Sequence, residues 1–368
     1  MKTRTKNQPD FLLFVPFGLL LIVGLVMMFS ASPSMALKSG DAFFFVKRHI
    51  IYILFGLFAL NFGMNVDLEK LKKLAFPFLI ISFALLAIVF LPGVGRTMGG
   101  ASRWIDLHFI SFQPGEIARF ALVLFLAASL SNNPGRITDL FRGFLPPMLV
   151  VGIMSAMLLM QPDMGTVVSI ILISFAMLFV AGARLLHLGV VSSLAAAGII
   201  VLSFITPYRF RRLTAFANPW KDPQGAGFHI IQSLLAVGSG GFWGVGLGAS
   251  KQKFQYLPQQ YADFIFAVYC EELGFVGAII LIGLYLFFFG RALKIARGAS
   301  TLFENFLAVG IIFLLAVQVF TNLAVVLALL PTTGIPLPFI SYGGTSMIIN
   351  LFSVGLLLNI SKRGSDKA

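Results

Sequence analysis

The residue most suited to chemistry is Asp263, in Tyr256-Leu-Pro-Gln-Gln-Tyr-Ala-Asp-Phe-Ile-Phe-Ala-Val, where an apolar run begins. A charge at the edge of a hydrocarbon layer is costly and marks a functional candidate. A partly desolvated carboxylate holds its proton more tightly and can act as a general base on a hydroxyl. Local pattern alone favours a helix N-cap, because Asp caps strongly. The two roles are compatible.

Other charged residues fall inside or beside apolar runs. Glu271 and Glu272 follow Asp263 at i+8 and i+9, about 80° and 180° round a helix from it. Neither continues its stripe. Both need polar company within a bundle and read first as packing and positioning residues, then as a proton path. Glu116 and Arg119 stand at i,i+3 in Gln113-Pro-Gly-Glu-Ile-Ala-Arg-Phe. That spacing lets them pair on one helix face, and Pro114 suits a first helical turn. The pair reads equally as a structural ion pair and as a cavity-facing site where Arg119 meets an anionic headgroup. Asp163, in Gln-Pro-Asp-Met-Gly, reads as a turn-former.

Between Thr206 and Asp263 the chain carries Arg209, Arg211, Arg212, Lys221, Lys251 and Lys253, with two of the three tryptophans. The run Gly238-Ser-Gly-Gly-Phe-Trp-Gly-Val-Gly-Leu-Gly248 lacks the Lys-Ser/Thr ending of a phosphate loop and has no βαβ context. Its glycines suit a re-entrant or amphipathic segment packed closely at a membrane surface. His49, His108, His187 and His229 show no zinc-ligand spacing. Cys270 is the single cysteine, so no intramolecular disulfide forms. Ser341, in Ser-Tyr-Gly-Gly-Thr-Ser, has no adjacent base and reads as flexible backbone before the last helix.

The elements that must position these residues are membrane spans. The chain is 58% hydrophobic and 11% charged, against roughly 25% charged in soluble domains. That deficit excludes one soluble core. The net charge of +13 does not indicate nucleic acid, because the basic residues sit in short loops between apolar runs. Ten spans are expected, near 11–31, 44–63, 74–92, 115–131, 144–160, 164–182, 185–205, 264–289, 303–329 and 342–360. Each is near the ~20 residues that cross the hydrocarbon layer. The first run is longer than a signal-peptide core of roughly 7–15 residues and is expected to be retained. The expectation is an all-α polytopic membrane protein, 1–368 as a single domain. It has ten transmembrane helices and a large extracytoplasmic loop, about 206–263, between helices 7 and 8.

Lys and Arg set the orientation. With the N-terminus inside, the inside segments hold fifteen and the outside segments eleven, six of them in the 206–263 loop. Both termini are therefore expected in the cytoplasm. The six loop cations run against that rule, and an anionic ligand outside explains them.

Several ordered motifs resemble one family. They are Gly100-Ala-Ser-Arg-Trp-Ile, Phe112-Gln-Pro-Gly-Glu, Gln161-Pro-Asp-Met-Gly-Thr, Asn218-Pro-Trp, Gly227-Phe-His-Ile-Ile-Gln-Ser, Tyr256-Leu-Pro, Asp263-Phe-Ile-Phe-Ala, Glu271-Glu-Leu-Gly and Gly334-Ile-Pro-Leu-Pro-Phe-Ile-Ser-Tyr-Gly-Gly-Thr-Ser. They span essentially the whole chain and resemble the SEDS proteins of shape, elongation, division and sporulation. Within that family the chain is more similar to the division branch than to the elongation branch. Ala215-Phe-Ala-Asn-Pro-Trp and Leu330-Pro-Thr-Thr-Gly carry that likeness, and sporulation members share it.

The resemblance implies a peptidoglycan glycosyltransferase of the bacterial cytoplasmic membrane that polymerises lipid II on the outer face. It implies a class B penicillin-binding protein and other division-complex proteins as partners, beside membrane lipids and no nucleic acid. Asp263 would be the base on the acceptor sugar's 4-hydroxyl. The substrate-binding candidates are Trp104, Arg103, Glu116, Arg119, Arg209, Arg211, Lys251 and Lys253. The departing pyrophosphate needs cationic stabilisation, from these cations or from a divalent cation, Mg or Mn. The family usually has an acid where Gln259 stands and Lys where Arg119 stands. Losing the first leaves Asp263 as the carboxylate of that segment. A lipid II flippase is the rival from another class, but no paired repeat of broken helices is visible.

Overall fold

The computed structural model describes residues 8–32, 40–91, 95–98, 101–106, 111–252 and 261–364. Its helices are α1 (Phe11–Ala31), α2 (Phe44–Asn65), α3 (Leu68–Ile88), α4 (Pro114–Asn132), α5 (Leu145–Met160), α6 (Met164–Val180), α7 (Leu185–Ile205), α8 (Pro207–Ala217), α9 (Phe228–Ser239), α10 (Ile265–Arg297), α11 (Leu302–Val326) and α12 (Gly344–Arg363). Among the described residues, nine helices are long and apolar enough to cross a membrane. The other expected span, 164–182, is the apolar α6, only 17 residues long, at the short limit for crossing. The chain is a multi-pass membrane protein.

Two boundaries moved for one reason. The third span was expected at 74–92, but α3 begins at Leu68, where Asp67 accepts a hydrogen bond from Glu69 N. Its first turns, Glu69-Lys-Leu-Lys-Lys, are helical and polar. Hydropathy finds the hydrocarbon, not the helix. Likewise α10 runs past 289 through Arg-Ala-Leu-Lys-Ile-Ala-Arg and stops at Gly298. Cationic residues suit that C-terminal end.

The helices α4, α11 and α12 are the most enclosed, and α7 is the least. α12 packs most extensively on α2, while α4 packs on α3 and α11. Between α3 and α4 lie three short strands, which an all-α reading missed. β1 (Gly95–Met98), β2 (Ala101–Asp106) and β3 (Ser111–Phe112) form an antiparallel sheet in chain order. β2 carries Arg103 and Trp104, and Trp104 lies opposite Arg96 in the register. The 206–263 loop is itself partly helical. α8 follows α7 after Thr206, with Pro207 opening its first turn. α9 is a short apolar helix packed on α10 and α11.

α10 is broken. Gly274 has φ 65° and ψ −165°, a conformation open to glycine and strained for other residues. The break removes partners from backbone groups on both sides of it, and buried backbone groups must be paired. The glycine run after α9 supplies the partners. Val245 N and Gly246 N donate to the carbonyls of Glu271 and Glu272, each at 3.0 Å. The carbonyls of Gly241 and Phe242 accept from Phe275 N at 3.0 Å and Val276 N at 3.2 Å. Gly244 has φ +83°, and a Cβ there would lie 2.1 Å from Glu272 O. The glycines let one backbone lie directly on another.

Candidate active site

Asp263 sits in the turn just before α10. It does not cap that helix: the N-cap is Phe264, with no side-chain cap bond. The cap reading is therefore corrected, and the carboxylate is left for other work. Its backbone is held tightly. Asn322 of α11 donates from Nδ2 to the carbonyls of Asp263 and Ile335, both at 2.9 Å. Ser341 Oγ donates to Ala262 O at 2.6 Å and accepts from Leu337 N at 2.9 Å. Tyr342 N donates to Tyr261 O at 2.9 Å. Ser341, expected in a flexible segment, is buried and pins the turn.

The carboxylate is half-buried. Burial pushes its pKa up from 3.8 to about 6, while the charges of Arg212 and then Arg103 pull it back down. Desolvation disfavours the anion and nearby cations favour it, so burial prevails here. Gly334, at φ +77°, lies beside the carboxylate: a Cβ at that position would stand 3.6 Å from Asp263 Oδ2, in ordinary contact. An acid with this pKa is mostly ionised near neutrality yet remains basic enough to take a proton.

The two cations are positioned by other elements. Arg103 of β2 donates to the carbonyls of Gln161 and Pro162 and lies 3.7 Å from Asp163 Oδ1. Asp163, expected to be a turn-former, is more than that. It caps α6, accepting from Thr166 N at 3.3 Å and Thr166 Oγ1 at 2.9 Å. It also accepts from Gln113 Nε2 at 3.4 Å. Arg212 of α8 donates to Thr332 O at 2.8 Å. Arg212 was counted among the loop cations but not among the substrate-binding candidates. No local motif marks it; only the fold brings α8 over Asp263.

The remaining candidates separate. Glu116 and Arg119 form an ion pair on α4 that is buried in the bundle, both side chains almost wholly enclosed. That burial fits the structural reading of the pair. Trp104 is half-buried. Arg211 is exposed on α8, and the Lys251 side chain is exposed beyond the glycine run. Lys253 and the side chain of Arg209 lie outside the described residues. Glu271 is a positioning residue: its carboxylate accepts from Ser250 Oγ at 2.5 Å and Lys251 N at 2.9 Å. Glu272 accepts from Ser30 Oγ at 2.5 Å, tying α1 to α10.

A divalent cation of the Mg type is commonly held by one or two carboxylates together with substrate phosphates. Among the described residues no three His, Cys, Asp or Glu side chains gather at one point. The neighbouring acid, Asp163, is already occupied by Thr166 and Arg103. No protein-built cage is present among the described residues, and no step is assigned to a metal.

The family model for FtsW, RodA and SpoVE, described as cell cycle protein, matches residues 10–366. A probable peptidoglycan glycosyltransferase FtsW of Geobacter sp. (strain M18) is 45% identical over 355 residues, covering 96% of this chain and 97% of that protein. The stage V sporulation protein E of Bacillus subtilis (strain 168) is 44% identical over 361 residues, covering 98% and 99%. A chain of a peptidoglycan synthase complex, solved to explain how polymerization and crosslinking are coordinated, superposes with a TM-score of 0.81. It is 31% identical, with 98% of this chain and 99% of that chain covered. The rod shape determining protein RodA of Thermus thermophilus gives a TM-score of 0.71 at 29% identity, covering 96% of each chain. The family model over nearly the whole chain and these relatives at near full length, on this helical scaffold, lead to one conclusion: the chain belongs to the FtsW, RodA and SpoVE family of cell cycle proteins.

Proposed function

We propose that this protein is a peptidoglycan glycosyltransferase that polymerises lipid II at the outer face of the bacterial cytoplasmic membrane. The observation that carries the reading is Asp263: a carboxyl at the helix edge, raised to about 6 by burial against the opposing charges of Arg212 and Arg103. Asp263 takes the proton of the acceptor sugar's 4-hydroxyl. The oxygen attacks the donor sugar's anomeric carbon, forming the glycosidic bond. The bond from that carbon to the lipid pyrophosphate breaks, and its electron pair leaves with the pyrophosphate. Arg103 and Arg212 face the charge that develops on the leaving group, where preorganised cations act most strongly. The proton then passes from Asp263 to the released pyrophosphate or to water. Both termini lie in the cytoplasm in this reading, and a class B penicillin-binding protein with transpeptidase activity is the partner. The likeness to FtsW relatives supports a septal role in cell division.

The test uses purified protein with its partner and lipid II in detergent, scored on a gel for glycan chains. Detergent removes any need for flipping. Chains made by wild type and lost in Asp263→Asn support the reading. Absence of chains under conditions where a related polymerase makes them would refute it in favour of a transporter or a scaffold.

A further inference from the structure

The cations acting on Asp263 come from β2 and α8. A second set of groups reaches the same turn from other elements. Tyr261, two residues before Asp263, stacks on Phe45 of α2 with ring centroids 4.3 Å apart. Tyr342, in the segment before α12, stands edge-on to both rings at 5.5 Å. The backbone bond from Tyr342 N to Tyr261 O fixes the two tyrosines relative to Asp263. Beneath them Tyr52 and His49 are buried, whereas Phe45, Tyr261 and Tyr342 are only half-buried. The three outer rings are thus partly open beside the base.

Arg48 lies one helical turn from Phe44 and Phe45, toward the bilayer. Its guanidinium sits 4.5 Å over the Phe44 ring and, with the Tyr52 hydroxyl, faces the Tyr342 hydroxyl. Its neighbour Lys47 is satisfied by Asp41 at 2.8 Å. Among the described ion pairs Arg48 has no carboxylate partner. Both cations stand at the outer end of α2, against the usual charge bias of membrane loops.

The arrangement matches one ligand chemistry. A pyranose has an apolar C–H face that packs on an aromatic ring, and hydroxyls that meet phenolic tips. A planar guanidinium matches a phosphate bidentately. Sugar above and pyrophosphate below, nearer the bilayer, is how a lipid-linked saccharide lies at a membrane surface. We propose that Phe45, Tyr261 and Tyr342 form the subsite for the acceptor sugar, whose hydroxyl Asp263 deprotonates, and that Arg48 binds that molecule's pyrophosphate. This assignment rests on the glycosyltransferase reading. It divides the site into a cationic side for the donor's leaving group and an aromatic side for the acceptor.

The test separates donor from acceptor with a lipid II whose sugar 4-hydroxyl is blocked, so that it serves only as donor. With this donor saturating, lipid II is varied as acceptor. Tyr261→Leu, Phe45→Leu and Arg48→Gln should each raise the acceptor KM about tenfold while kcat stays within a few-fold. Tyr261→Phe should restore most of the loss. Where Tyr261→Leu lowers folded yield, the Phe45 and Arg48 variants give the same comparison. An unchanged acceptor KM in folded variants overturns the assignment, as does an equal rise in KM for the blocked donor. If wild type makes no glycan at all, the glycosyltransferase reading falls instead. Equilibrium binding of labelled lipid II to wild type and Phe45→Leu then decides the subsite, and equal affinity overturns it.

Discussion

Asp263→Asn nearly preserves shape and removes the negative charge, so it separates chemistry from architecture. The turn is held through the backbone carbonyls of Tyr261, Ala262 and Asp263, none of which the substitution touches. The carboxyl's pKa rises from 3.8 to about 6 because burial penalises the anion. A raised acid pKa favours the fold fully below the unfolded value, and that contribution is lost as pH rises through about 6. Above that pH the ionised carboxylate costs at most ~3 kcal/mol, two pH units at ~1.4 kcal/mol each. Asn does not ionise. The variant should therefore melt no lower than wild type at pH 7.5, and higher if the full cost is realised. Polymerisation should nevertheless fall by ~10²–10⁴, the usual contribution of a general base. The wild-type rate should itself decline as pH drops through about 6, since the protonated acid is no base. Glycan chains resolved on a gel, together with melting in detergent, provide the assay. A folded Asp263→Asn protein that polymerises within a few-fold of wild type would refute the assignment. A markedly destabilised variant would show that the side chain is structural.

Three further outcomes are expected. Glu116→Ala leaves Arg119 charged and unpaired in the bundle, a loss of roughly 3–5 kcal/mol that should appear as reduced folded yield; unchanged melting would make the pair dispensable. Gly244→Ala places a Cβ 2.1 Å from Glu272 O at a φ of +83°, so both melting temperature and polymerisation should drop, whereas Gly241→Ala, with open space around its Cβ, should show only the smaller penalty of its own positive φ. An impermeant maleimide applied from outside should label Gln224→Cys and not Thr138→Cys, both exposed positions; the reverse pattern would invert the orientation.

The spans and the acid were legible because each follows from local pattern. Twenty apolar residues announce a membrane helix whatever surrounds them, so α1, α2 and α7 were expected almost at their observed limits. The polar first turns of α3 and last turns of α10 were not, since hydropathy is silent about helix outside hydrocarbon. The sheet was invisible for a similar reason. Its strands are too short for alternation to register, and β3 has two residues. Site partners proved hardest. Arg212, Asn322 and Ser341 lie at sequence distances of 51, 59 and 78 from Asp263, and only tertiary packing unites them. Asp163 was misread for the opposite reason: its local role as a cap and turn residue is real, and it conceals the pairing with Arg103.

The break at Gly274 makes the outer part of α10 a lever. From Gly274 to Ile265 is nine residues, ~14 Å at 1.5 Å each, with Asp263 at the tip. A tilt of ten degrees at the break would carry the tip ~2.4 Å, and a displacement of only ~1 Å can cost a hundredfold in rate. The stiffness of this pivot, together with the bonds from Asn322, Ser341 and Tyr342 that pin the turn, thus governs whether the base is in register with its substrate. Four backbone hydrogen bonds from the glycine run brace it, and Ser250 and Lys251 clamp the same run to Glu271. A protein that gripped the exposed tip of that run, around Phe242 and Trp243, would hold the lever without touching the catalytic acid. Tightening or slackening the brace would act as a throttle on polymerisation.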